Sequence, residues 1–348
     1  MCDVTIHGAG IFGLSIAFTC LRRGATVRVI DPAGPGAGAS GGIVGALAPH
    51  VPENWNAKKA FQFESLLMAE QFWKNVEAVS GHASGYARTG RLQPIEDEQA
   101  QRLAEQRATS ARTLWRGVAT WRVVRAEDTA FAPRSATGLL VHDTLSARLH
   151  PARACFALAA AVTALGGQIA GEGAETGAIV HATGVAGLED MSRAFAQPVG
   201  CGIKGQAALL DFAAPAAPQL FADALHIVPH ANGTTAIGST SESDYQNAGE
   251  TDMQLDDLIA KARCAVSDLA GAPVLARWAG LRPRARSRAP MLGPWPDRPG
   301  HFVANGGFKI GFGMAPKCAD VMADLILDGQ DNIPSGFRVE ASLPAVVR

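Results

Sequence analysis

The apolar and polar positions of this chain repeat one order several times: a short apolar run, a glycine-rich turn, an apolar stretch at helical spacing, and another apolar run. The order is clearest at the start. Val4-Thr5-Ile6-His7 predicts a strand, Gly8-Ala9-Gly10-Ile11-Phe12-Gly13 a turn, and the stretch through Leu21 a helix closed by Gly24. Thr26-Val27-Arg28-Val29-Ile30 predicts a second strand, and Asp31 follows it. Later, Ala57, Phe61, Met68, Phe72, Val76 and Val79 share one face of a core helix that Gly81 ends. Arg91 to Ile95 predicts a strand, Glu96 to Trp115 a polar, exposed helix, and Thr137 to His142 another strand. His150-Pro151 opens a helix through Leu165, and Ala178 to Gly184 reads as a buried strand ending in small residues.

The pattern then changes to antiparallel signals. Ala207 to Asp211, Leu225 to Pro229 and Thr234 to Gly238 predict strands, with Asn232-Gly233 as the hairpin turn. Thr251 is expected to cap a helix with Leu255, Leu258, Ile259, Ala262, Val266 and Leu269 on its apolar side. Phe302-Val303-Ala304, a second glycine turn, and a helix from Met314 to Leu327 complete the chain. The implied fold is α/β. A Rossmann-like dinucleotide-binding domain (1–85, 146–205 and 275–348) is interleaved with a smaller α+β domain on an antiparallel sheet (86–145 and 206–274).

Composition narrows the function classes. The 348 residues carry 31 basic and 32 acidic side chains, leaving no basic excess for nucleic acid and no acidic tail. The six cysteines are scattered, with no CxxC pair and no Cys/His cluster, so neither a metal site nor a disulfide framework is expected. The first strand begins at once and no segment approaches 18 uninterrupted apolar residues. The expectation is therefore a cytoplasmic protein without signal peptide or membrane span.

Candidate chemistry gathers at four places. In the first turn, Gly8 permits a sharp exit from the strand, Gly10 a close backbone approach to pyrophosphate, and Gly13 close helix packing. Asp31 is placed to accept from a ribose 2′-OH, which disfavours a 2′-phosphate and leaves NAD and FAD open. The loop from Pro32 to Gly42, followed by Gly45-Ala46-Leu47-Ala48-Pro49-His50, is so poor in bulky side chains that its backbone is expected against something large and flat. In the second turn, Asn305 to Gly313, backbone N–H groups and a helix N-terminus can hold an electron-rich edge of a cofactor, with Lys309 as a candidate cation beside it. Finally, Arg282, Arg284, Arg286 and Arg288 alternate and would share one face of an extended segment. Arg282, between an apolar run and Pro283, is the one expected to point inward and clamp a carboxylate. His50 and His230 are candidates for a substrate cavity, whereas His7 and His181 are read as structural.

Together these residues resemble the D-amino-acid oxidase superfamily of FAD enzymes, nearest glycine oxidase and its relatives. The resemblance rests on Gly8 to Gly13, Gly38 to Gly42, Gly45 to Pro49, Ala182-Thr183-Gly184, Gly280-Leu281-Arg282-Pro283 and the turn from Gly306 to Pro316. Gly306 to Ile310 also resembles monomeric sarcosine oxidase. The resemblance implies FAD held non-covalently by Gly8, Gly10, Ile11, Phe12, Gly13, Asp31, Pro32, Ala39, Ser40, Gly45, Ala46, Leu47, Ala182, Thr183, Gly184, Arg282 and the run Gly306, Gly307, Phe308, Lys309, Ile310, Gly311. It implies a small carboxylated amine oxidised to an imine by hydride transfer to flavin N5, with electrons passed to oxygen or another acceptor. Catalytic candidates are Arg282, Lys309, His50 and Tyr245; relatives use a tyrosine at the carboxylate, and only Tyr86 and Tyr245 exist here. Two alternatives share the motifs: a flavin oxidase domain acting on a carboxymethylamino-modified tRNA uridine, and a flavoprotein subunit of a multi-component dehydrogenase. The neutral charge counts against RNA.

Overall fold

The computed structural model describes residues 2–343; Met1 and residues 344–348, at the outer ends of the expected dinucleotide-binding segments, lie outside the described residues. The chain begins β1 (Val4–His7), α1 (Ile11–Arg22), β2 (Val27–Ile30), β3 (Ala46–Leu47) and α2 (Ala57–Ser80). It continues through β4 (Arg91–Pro94), α3 (Glu98–Leu114), β5 (Trp121–Arg125), β6 (Leu139–Asp143), β7 (Ala147–Arg148) and α4 (Pro151–Ala164). Then come β8 (Gln168–Ala170), β9 (Ala178–His181), α5 (Gly184–Ala194), β10 (Gly200–Leu210), β11 (Gln219–Ala222), β12 (Leu225–Pro229) and β13 (Thr235–Gly238). The last elements are α6 (Met253–Ala265), β14 (Val274–Ala285), β15 (Met291–Pro294), β16 (His301–Asn305) and α7 (Gly311–Asp328).

One sheet has the order β15-β16-β9-β1-β2-β8 and is parallel except for its edge strand β15. Its strands are short and apolar, because helices cover it. Helix α1 is buried nearly all round, with Leu14, Ile16, Ala17 and Phe18 at or near zero exposure. A helix with no polar face has to sit inside a layer, and α1 packs against both α4 and α7. Helix α2 starts where Asn56 accepts the Lys59 N–H (3.1 Å) and stops at Gly81. Gly81 is left-handed (φ 71°), the conformation that lets its N–H close on the Glu77 carbonyl.

The second sheet runs β14-β10-β13-β12-β11-β4-β6-β5 and is antiparallel except where β11 meets β4. Its longest ladder pairs Gly200–Leu210 with Val274–Ala285, so β10 and β14 cross the boundaries drawn from sequence at 205/206 and 274/275. The ladder continues through both points, with a register shift beside Leu275 at the second, and no loop interrupts it.

Other expectations change at element ends. The cap of α6 is Asp252, not Thr251: its carboxylate accepts the Gln254 N–H (3.0 Å). Helix α7 begins at Gly311, three residues before Met314. Helix α3, expected exposed, buries Ala104 and Ala111 against the main core. Strands β5, β8 and β11 and helix α5, all short, have no counterpart in the sequence reading. No helix among the described residues is long and apolar enough to cross a membrane.

Candidate active site

A single cleft of about 1080 Å³ runs between the two sheets, from Asp31 at one end to Arg91 and Arg282 at the other. Its floor is the carboxyl edge of the parallel sheet. His7 at the end of β1 and Gly8 after it, Ile30 at the end of β2 and Asp31 after it, Ala182 after β9 and Asn305 of β16 all line it. Ligands collect at this edge of open α/β sheets, where helix N-termini also point. Three helices begin there, α1 at Ile11, α5 at Gly184 and α7 at Gly311, each without a side-chain cap. Their converging N–H groups and partial positive charges suit a long anionic ligand.

Close approach explains the first turn. A Cβ on Gly8 would lie 2.4 Å from the Ala182 carbonyl oxygen, and one on Gly13 would lie 1.9 Å from that of Gly8. Neither contact is possible, so only glycine brings β1, α1 and the end of β9 this close. Asp31 accepts the Ala9 N–H (2.8 Å) and the Ala33 N–H (3.0 Å), which fixes its carboxylate at the cleft. Ser40, on the small-residue loop, accepts the Ile11 N–H (3.0 Å) and so locks that loop across the α1 N-terminus.

Of the residues expected to hold the cofactor, Gly13, Gly45 and Leu47 do not line the cleft; the others do. Gly13 lies beneath the turn, a Cβ on Gly45 would strike the Leu149 carbonyl oxygen at 2.0 Å, and Leu47 is wholly buried. These three shape the surface from behind.

At the other end the cleft is made of side chains. Arg282 is 8% exposed; its Nη1 donates to Ser239 Oγ (2.9 Å) and its Nη2 to the Thr240 carbonyl (2.7 Å), while its Nε has no partner. The guanidinium lies across Gly205 of the adjacent strand, where a Cβ would be 1.3 Å from Nη2. Burial pulls the Arg282 pKa down to about 10, opposed by the nearby Glu242 carboxylate. The side chain remains a cation at neutral pH. Glu242 is itself buried and accepts from Gln206 Nε2 (3.0 Å).

Phe308 carries three cations around its ring: the Cζ atoms of Arg282 and Arg284 are each 5.9 Å from its centroid, and Lys309 Nζ is 5.8 Å away. Burial and the Arg282 charge hold the Lys309 pKa below its ordinary value. The face shared by alternate arginines ends with β14 at Ala285, so Arg286 and Arg288 lie in the following turn and are exposed.

His50 also lines the cleft. Gln62 Oε1 accepts the His50 N–H (2.7 Å) and meets the ring at Nδ1, and Gln62 Nε2 donates to the Ala48 carbonyl (3.2 Å). That orientation makes Nδ1 the donor and leaves Nε2 with a lone pair. Burial lowers the His50 pKa.

Two candidates fall elsewhere. Tyr245 lines a separate depression with Lys204, Glu242 and Asp252. The reason is that Glu242 bridges back to Lys204 of β10, so the chain beyond it passes over the outer side of that strand. Only Ala248 and Gly249 of this loop reach the cleft. His230 is 1% exposed, with Nε2 on the Ile43 carbonyl (2.9 Å), and does not line the cleft.

Several cleft residues had no sequence signal: Arg91, Phe221, His226, Ser239 and Trp278. The Trp278 ring fills the space above Gly280 (2.6 Å from a Cβ there) and faces Gly42 of the small-residue loop.

A dinucleotide cradle at the carboxyl edge of one sheet, closed by an antiparallel sheet that delivers a buried arginine, is the frame of a cofactor-dependent oxidoreductase. Residues 3–325 match the family model described as FAD dependent oxidoreductase, and the chain belongs to that family; its cofactor is FAD, held non-covalently. No cysteine among the described residues lines the cleft. The glycine oxidase of Pseudomonas putida is 31% identical over 143 residues, 40% of this chain and 39% of that protein. The match thus spans about two-fifths of that relative's length. The glycine oxidase of Geobacillus kaustophilus is 25% identical over 361 residues, 93% of this chain and 92% of its own length. The crystal structure of iminodiacetate oxidase from Chelativorans sp. BNC1 shares the fold, with a TM-score of 0.84 at 19% identity over 96% of this chain and 98% of that one.

Proposed function

We propose that the protein oxidises a small carboxylated amine, of the amino-acid or N-substituted glycine type, to an imine. The observation that carries the reading is Arg282: a buried guanidinium, anchored from behind by Ser239 and Thr240, at the end of the cleft opposite Asp31. When bound, FAD accepts a hydride from the substrate carbon and gives its electrons to oxygen or another acceptor.

The protein's own residues supply placement. Gly8 to Phe12, Asp31, Ser40 and Ala182 to Gly184 hold the adenosine and pyrophosphate half, and Gly306 to Gly311 the flavin half. Arg282 pairs with the substrate carboxylate through two charge-assisted bonds, each worth about 1.5–3 kcal/mol. The free Nε2 of His50 takes the proton of an incoming ammonium, so that the amine is neutral when it reacts. Lys309 supplies positive charge beside the ring where negative charge develops. Little further acid–base machinery is needed, because orientation provides most of the acceleration.

The test is turnover by the purified flavoprotein. Glycine, sarcosine, D-amino acids and proline are supplied in turn, reading peroxide and oxygen uptake, then reduction of a dye acceptor. Oxidation of at least one carboxylated amine, with a KM that rises steeply in Arg282→Met, is expected. A fully flavinated protein that turns over none of them with either acceptor would overturn the reading.

A further inference from the structure

We propose that the cleft contains a second carboxylate-binding position, at Arg91, so that the preferred substrate is an amine bearing two acidic groups, one on Arg282 and one on a longer arm. This deepens the amine-oxidation reading and rests on it for the first acid.

Arg91 opens β4, is 6% exposed, and lines the cleft. Its Nε donates to Asp143 Oδ2 (3.0 Å). Asp143 is wholly buried and is held in turn by the Ser146 N–H (2.8 Å) and Ser146 Oγ (3.0 Å). The guanidinium is therefore fixed by one edge. Its other edge, Nη1 and Nη2, donates no hydrogen bond to any described residue. That edge is a planar fork matched to a carboxylate.

The surroundings repeat what is found at Arg282. Each guanidinium is backed by a phenylalanine, with Arg91 Cζ 5.9 Å from the Phe221 centroid. His226, whose ring is 4.8 Å from that of Phe221, also lines the cleft, and its Nδ1 is buried without a partner. A carboxylate on the Arg91 fork would give that nitrogen an acceptor. Burial, Arg91 and Lys309 together hold His226 neutral, with a pKa of about 3, so it can donate without adding charge.

Charge balance across the cleft points the same way. Among the described residues lining it, the only carboxylate is Asp31, at the far end, while Arg91, Arg282 and Lys309 gather where a substrate would lie. A substrate with one acid satisfies Arg282 and leaves the Arg91 fork unpaired. β14 and β4 are not neighbours in the sheet, yet both arginines line the one cleft, so the two forks stand at separate positions along it. Even with both side chains reaching inward, the second acid belongs on an arm several bonds long, not on the neighbouring carbon.

The decisive measurement needs no turnover. The flavin absorbance of the holoenzyme is titrated with non-oxidisable straight-chain dicarboxylates, from glutarate to azelate, and with the monocarboxylates of equal length. At least one dicarboxylate is expected to bind tenfold or more tighter than its mono-acid partner. That ratio should fall towards one in Arg91→Met and to an intermediate value in Arg91→Lys, which keeps the ion pair with Asp143 but loses the fork. Equal binding by the wild-type protein overturns the proposal outright, whether or not Arg91→Met folds; an undiminished ratio in either variant does so too. Glutamate against glutamine, and 2-aminoadipate against its amide, then separate the two readings. Acid-selective binding without oxidation of any amine leaves the second site standing and removes the amine reading. Amine oxidation with no preference for acid over amide does the reverse.

Discussion

At the Asp31 end the cleft is made of backbone: glycine turns, three uncapped helix starts, and strand ends that approach to within a Cβ of one another. At the Arg282 end it is made of long side chains, delivered from β4, β12 and β14 and held by partners behind them. The first end can recognise only what every dinucleotide offers, a pyrophosphate and a ribose. The second has specific charges at specific places, so it can discriminate between ligands. Binding of cofactor and choice of substrate are thus separable, and each can be broken without the other.

The largest effect is expected at Arg282. On the proposed reading, replacing it with methionine removes two charge-assisted bonds to the substrate, about 3–6 kcal/mol together, or roughly 10²–10⁴-fold in kcat/KM. The flavin spectrum of the variant should be normal, since the other end of the cleft is untouched; loss of flavin would show that the two ends are not independent. Next is Gly205→Ala, which adds one methyl group on the neighbouring strand. The new Cβ would fall 1.3 Å from Arg282 Nη2, so the guanidinium must move by an ångström or more. Such a misplacement costs about 10²-fold in kcat/KM. If Gly205→Ala is as active as the parent, the seat assigned to Arg282 is wrong.

The same division explains what could be read from the chain in advance. The first turn was legible because its parts are consecutive: strand, glycines, helix, strand and acid within 31 residues. Arg282 was legible because a charged residue interrupts an apolar run. Arg91, His226 and Ser239 were not, since each becomes significant only when distant strands meet. β4 and β14, for example, stand five places apart in one sheet. Tyr245 was misplaced for a related reason. Chemistry nominated the residue type, but the bridge from Glu242 to Lys204 sends that segment past the cleft. Short elements such as β8 and β11 carry too few residues for a period to show.

A smaller effect belongs to the backbone end. Gly13→Ala forces a methyl group against the Gly8 carbonyl, 1.9 Å away, and α1 must lift off β1 to admit it. Overpacking of this kind costs about 1–3 kcal/mol. The expected result is roughly five- to 100-fold weaker FAD binding, measured by flavin release on dilution, with an unchanged KM ratio between substrates in the flavinated fraction. A changed ratio would mean that cofactor binding and substrate choice share residues after all.

The weakest effect tests both ends through pH. His226 at the substrate end and His181 beside β1 are held neutral by burial and neighbouring positive charge, with pKa values of about 3 and about 4. Unfolding restores each to an ordinary value near 6.5. Between the folded and unfolded values, the unfolded chain binds more protons, so stability rises with pH there and is lost as pH falls from about 6.5 towards 4. Each histidine contributes at most about 1.4 kcal/mol per pH unit to that slope. Urea unfolding in saturating FAD should therefore show a plateau above pH 7 and a decline below 6.5. His226→Gln should make the decline shallower by up to one proton. If the second acid site exists, saturating dicarboxylate should do the same to the wild-type protein, because a bound anion raises the pKa of the folded histidine. His181, out of reach of that anion, should keep its share of the slope in every case. A dicarboxylate that left the slope unchanged would place His226 outside the substrate end, and a flat profile would show that neither ring is kept neutral.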